Sequence, residues 1–139
     1  MAGNTPVEID FLIAADAAQV VDGKLWMLGG AWDTIHVSRL PVAHSMAIAA
    51  GINLSWDAAA VPHRFLIEIR DVASGAAISS SSGEFEQGQP ADLEPGTVQR
   101  FMIAISGNFT FSAAGEHVIV LTVDGVHTRR STFRVISPA

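Results

Sequence analysis

Apolar and polar residues alternate along most of this chain with a period of two, the signature of strands with one buried face. Val7, Ile9, Phe11 and Ile13 take alternate positions from Pro6 onward, with Glu8 and Asp10 between them, and predict a first half-buried strand. A second apolar stretch, Ala17 to Val21, runs into Asp22-Gly23 and then Lys24-Leu25-Trp26-Met27-Leu28. An Asp-Gly pair between apolar runs predicts a tight hairpin, because both central residues of its turn need positive φ. Gly29-Gly30 breaks or bends the return strand, and Trp32 to Val37 resumes it. The longest pattern follows Pro41. Met46, Ile48, Ala50, Ile52, Leu54 and Trp56 alternate with Ser45, Ala47, Ala49, Gly51, Asn53 and Ser55. One face is large and is assigned to the core; the other is small and suits close approach by another sheet or backbone.

Beyond Pro62, Phe65, Ile67 and Ile69 point one way, while Arg64, Glu68 and Arg70 point to water. Asp71 to Gly75 is a turn, the serine-rich stretch Ala76 to Glu86 an edge strand, and Gln87 to Gly96 a loop punctuated by Pro90, Pro95 and Gly96. Phe101, Ile103 and Ile105 alternate again up to Gly107, and Phe109 and Phe111 lie in a short segment beyond. Glu116 to Val123 is apolar on both faces and predicts a central strand covered on both sides. Asp124-Gly125 repeats the hairpin signal before a return strand from Val126 to Ile136. Alanine-rich Ala14 to Ala18 and Asp57 to Val61 are too short to predict helices. Short strands with frequent turns predict an all-β fold with little or no helix. The expected architecture is an antiparallel β-sandwich, immunoglobulin-like or jelly-roll-like, in a single domain spanning residues 1–139.

Charge narrows the function classes. Charged residues make up only 16% of the 139 residues, against about 25% in ordinary domains, while 49% are hydrophobic. Either small alanines raise the apolar fraction, or part of the surface is covered by another subunit or partner. The formal net charge of −6, with one lysine at Lys24, argues against a nucleic-acid partner. Arg129, Arg130 and Arg134 form the one basic cluster, with Arg130 and Arg134 on one strand face and Arg129 on the other. No apolar run is long enough for a membrane-spanning helix, and no basic n-region of a secretory signal is visible, so a cytoplasmic protein with no membrane partner is expected. The chain has no cysteine, which removes disulfides and thiolate chemistry.

Candidate chemistry is sparse. His36, His44, His63, His117 and His127 fall on different strands, without metal-ligand spacing. No GxSxG elbow or phosphate-binding glycine loop occurs. Glu84, Glu86, Asp92 and Glu94 gather around the long loop, where oxygen ligands could hold calcium. No cofactor is implied. Trp26, beside Met27 in an apolar strand, is assigned to the core; Trp32, after two glycines, is open to core packing or surface contact.

The opening from Val7 to Ile35 resembles that of an uncharacterised family of short bacterial proteins, a domain of unknown function. The matching residues are Asp16, Ala17, Gly23, Lys24, Leu25, Leu28, Gly29, Gly30 and Trp32. Leu40-Pro41, Pro62-His63-Arg64, Gly83-Glu84-Phe85-Glu86 and the closing segments Gly115 to Gly125 and Phe133 to Val135 are also similar. The resemblance implies a bacterial origin and a compact β fold, and assigns no activity. The leading expectation is a non-catalytic module that self-associates or docks to another protein, with Trp32, Ala47, Ala49 and Gly51 as candidate interaction surface. The alternatives are a sandwich that binds a small ligand, metal or carbohydrate, and a hydrolase with a site assembled from dispersed histidines and carboxylates.

Overall fold

The computed structural model describes residues 6–138. Nine strands and one helical turn follow in order: β1 (Val7–Val21), β2 (Lys24–Gly30), β3 (Thr34–His36), β4 (Val42–Leu54), α1 (Trp56–Ala59), β5 (His63–Asp71), β6 (Ala77–Phe85), β7 (Gln99–Phe111), β8 (Gly115–Val123) and β9 (His127–Ile136). They form a four-stranded sheet ordered β2-β1-β4-β7 and a five-stranded sheet ordered β3-β9-β8-β5-β6. The chain is an all-β sandwich. Strands β1, β4 and β7 take the places of A, B and E in the immunoglobulin order, and β9, β8, β5 and β6 those of G, F, C and C′. This decides between the two expected architectures. One pairing is parallel, β3 with β9, so the second sheet is mixed rather than purely antiparallel.

The core lies between the sheets. The large face of β4 enters it as predicted, with Met46, Ile48, Ala50, Ile52 and Leu54 buried against Ile67, Ile69, Ile119, Leu121, Phe133 and Val135. Strand β1 departs from simple alternation. Its register with β4 shifts between Ile9 and Phe11, so Asp10 is an extra residue and the strand bulges. Val7 and Ile9 face the core before the bulge, and Leu12 and Ala14 face it afterwards. Phe11 and Ile13, expected on the core face, stand on the outer one. The ring of Phe11 lies on Gly51, where an added Cβ would come within 2.2 Å of it.

Four further differences have local causes. The two apolar stretches before Asp22 are one continuous 15-residue strand. Phe101 to Phe111 likewise runs unbroken through Gly107 within β7. Ser55 caps a four-residue helix by accepting a hydrogen bond from the Ala58 N–H at 3.2 Å, and the chain turns there although its alanines alone are too few for a helix. Strand β8 is central, but among the described residues no second layer covers its outer face. Val120 is buried there between its neighbours Glu68 on β5 and Arg130 on β9. Long charged side chains shield it with their aliphatic stems. Among the described residues no helix is long and apolar enough to cross a membrane.

Candidate functional site: an apolar hairpin arm

Strand β1 serves two partners in succession. Its first half, Val7 to Ala15, pairs with β4, and its second half, Ala15 to Val21, pairs with β2. The hairpin from Ala15 to Gly30 therefore extends beyond the region where β1 is held by β4. Its turn is Asp22-Gly23, with φ of 52° and 70°, closing directly onto the Val21–Lys24 pair. At the base, Gly29 has φ of 57°, and a Cβ there would meet Asp16 Oδ2 at 2.3 Å. Only glycine gives both that backbone conformation and room for the carboxylate. Ser106 Oγ on β7 donates to the Ala18 carbonyl at 3.3 Å and ties the arm's base to the sandwich.

The arm is apolar and largely uncovered. Trp26, assigned to the core from its strand pattern, is 60% exposed, and Leu28 is 72% exposed. Cross-strand pairing puts both on one face with Ala17, Gln19, Val21 and Lys24. Val20 and Met27 are exposed on the opposite face. At up to ~250 Å² for a whole tryptophan side chain, Trp26 alone presents roughly 150 Å². With Leu28 and Val21 on the same face the exposed apolar area is on the order of 300 Å², at the lower end of the range for the largest apolar patch on a typical monomer. Trp26 and Leu28, two apart in an ordinary strand pattern, gave no local sign of this surface. Nothing in the local alternation distinguishes a strand under a second layer from one beyond its edge.

The residues singled out from sequence lie elsewhere. Ala47 and Ala49 are completely buried, and Gly51 is buried beneath Phe11. They share the outer face of the first sheet, but Ala15 and Ser106 flank Ala47, and Ile13 and Ala104 flank Ala49. The Phe11 ring covers Gly51, and neither Ala47 nor Ala49 reaches solvent. A partner approaching this face would touch Phe11, Ile13 or Met102 before any of the three. Trp32 is half-buried, edge-on to Phe133 with ring centres 5.8 Å apart, and its Nε1–H is buried without an acceptor among the described residues. It packs against the core rather than standing free.

The histidines do not gather into one metal-ligating group among the described residues. His117 is buried, stacked on Phe133 and edge-on to Phe111, with Nδ1 3.0 Å from the Gly115 carbonyl. His44 also meets Phe111. Among the described residues His63 is the one histidine hydrogen-bonded to a carboxylate, and His127 adds a coulombic pull on the same Asp124. Its Nδ1 is 2.6 Å from Asp124 Oδ2, its Nε2 2.6 Å from the Ala58 carbonyl, and its ring stacks on Phe85. Asp124 also accepts from the Arg64 N–H at 2.9 Å. Burial works against the charged ring, but the hydrogen bond to Asp124, the Ala58 carbonyl and the Asp124 charge outweigh it and hold His63 above its ordinary value. Burial likewise opposes the Asp124 carboxylate, and its bonds to His63 and the Arg64 N–H still bring it below the usual range. With both ring nitrogens engaged, His63 has no free nitrogen to take a proton from a hydroxyl nucleophile. The pair pins the β8–β9 turn to the start of β5 and the end of α1. In the acidic stretch Glu84 is paired with Arg64 at 3.0 Å, and no group of three or more metal-ligating side chains converges among the described residues.

These features define an immunoglobulin-like sandwich with an apolar arm. The chain belongs to the family of unknown function DUF6941, whose model matches residues 10–136. The motif of Asp16 with Gly29-Gly30 marks the base of the arm, and Pro62-His63-Arg64 with Asp124-Gly125 marks the ion pair. No curated protein matches. Among solved structures, the chain is similar to a β-glucosidase from Listeria innocua in complex with isofagomine, with 8% identity and a TM-score of 0.49. The alignment covers 95% of this chain and 16% of that one, so the chain spans about a sixth of the glucosidase's length.

Proposed function

We propose that this protein is a non-catalytic binding module that self-associates through the β1–β2 arm. The observation that carries this reading is the exposure of Trp26 and Leu28 on one face of a hairpin that the sandwich leaves uncovered. Burying apolar area at roughly 25 cal/mol per Å² stabilises association by several kcal/mol before the entropic costs are met. The low charge content fits a chain whose surface is partly covered by another copy. On this reading it works in the bacterial cytoplasm, which a cysteine-free chain suits. Light scattering behind a sizing column, at two concentrations, tests it. A stable multiple of 14.7 kDa is expected for the native chain, and the single-chain mass for Trp26→Gln/Leu28→Gln with unchanged far-ultraviolet dichroism. A native chain that runs as a monomer at both concentrations would remove the reading.

A further inference from the structure

We propose that the partner on the arm is a second copy of this chain, joined by antiparallel pairing of β2 with β2 of the copy, Met27 opposite Met27, to make one continuous eight-stranded sheet. This deepens the self-association reading and rests on it. Strand β2 is the end strand of its sheet, with β1 as its one ladder partner among the described residues. In a hairpin closed by two residues, Val21 and Lys24 form a hydrogen-bonded pair, so Trp26 and Leu28 also turn their backbone groups toward β1. Leu25, Met27 and Gly29 then direct their N–H and C=O groups to the open side.

Three other edges carry devices that discourage pairing, and β7, the opposite end strand of the first sheet, exposes only Arg100, Ser106, Gly107, Asn108 and Thr110, none of them a large apolar residue. The first half of β1 has Glu8 and Asp10, and Arg129 donates to the Ile9 carbonyl at 3.0 Å. Strand β3 has three residues, and β6 carries Ser79 to Ser82 and Glu84. Strand β2 has Lys24 at its turn end and then six residues, Leu25 to Gly30, without charge or proline.

Symmetry selects the register. Two copies of one strand pair antiparallel about a two-fold axis perpendicular to the sheet, which keeps like faces on the same side. Full overlap of Lys24–Gly30 centres that axis on Met27. Lys24 then faces Gly30 of the copy, so no like charges meet. Leu25 faces Gly29, and each Trp26 lies beside Leu28 of the other copy, joining the most exposed side chains of the two arms. Trp26 and Leu28 of the two arms supply the apolar contact across the seam, and the paired backbones add the ladder hydrogen bonds.

The absence of native cysteine makes the test clean, because Met27→Cys carries a single thiol. Directly paired residues have Cα atoms about 5.5 Å apart, inside the ~4.4–6.8 Å range of a disulfide. Dilute protein is oxidised with diamide and followed on non-reducing gels. Met27→Cys should form a reducible dimer at least tenfold faster than Val126→Cys, whose site is 74% exposed on the β8–β9 turn. A mixture of Trp26→Cys and Leu28→Cys chains should give the mixed disulfide in preference to either homodimer. If the native chain is a dimer but Met27→Cys crosslinks no faster than Val126→Cys, edge pairing is wrong and self-association stands. A native chain that is monomeric throughout overturns both.

Discussion

Asp124→Asn removes one negative charge from the ion pair and leaves most of the local shape in place. Asparagine tolerates the φ of 55° at this turn position, and its amide oxygen can still accept from the Arg64 N–H. What is lost is the carboxylate opposite His63, which stays 6% exposed and loses its charged partner. Breaking a fully buried ion pair costs about 3–5 kcal/mol. The Asp124 side chain is 32% exposed, so water screens part of the interaction. Replacing a charge-assisted hydrogen bond by a neutral one costs about 1–1.5 kcal/mol, and about 2 kcal/mol is expected in all. For a chain of this length that lowers Tm by roughly 5–10 °C.

The effect depends on pH in a stated direction. His63 has a raised folded pKa, so its contribution is complete below its ordinary value near 6.5 and is lost as pH rises through the folded value. Asp124 has a lowered folded pKa; its contribution is present above its ordinary value near 4 and disappears as pH falls through the folded one. The gap between native and variant is therefore widest near pH 5–6 and narrows toward pH 9. Urea unfolding at fixed protein concentration, read as midpoints at constant slope, measures it. A gap that stays flat from pH 5 to 9, or widens with rising pH, would refute the assignment of His63 as a charged, carboxylate-held ring.

Two other outcomes follow from packing. Ala49→Arg forces a charged side chain into a site with no exposure and should cost about 3 kcal/mol, visible as a lower Tm; an unchanged Tm would mean that the outer face is open. Gly29→Ala combines a left-handed backbone with a clash against Asp16 and should cost about 1–3 kcal/mol locally. Amide exchange should quicken in β2 while β8 keeps its protection, and equal loosening of both would place the arm inside the cooperative core.

Alternation and turn chemistry in the sequence determined much of this protein. Met46 to Leu54 declared which face is buried, because a period of two is a property of any extended strand. Asp22-Gly23 and Asp124-Gly125 declared their turns, because positive φ is a local demand. The bulge at Asp10 was not legible, since an inserted residue leaves the run from Val7 to Ile13 looking regular. Strand order, the parallel pairing of β3 and the meeting of His63 with Asp124, 61 residues apart, depend on contacts between distant segments. The exposure of Trp26 and the burial of Ala47, Ala49 and Gly51 were decided in the same way. Local sequence assigns side chains to one face or the other, but what lies over each face is set by where strands part, and β1 leaves β4 after Ala15 although β4 runs on to Val42 beside β7.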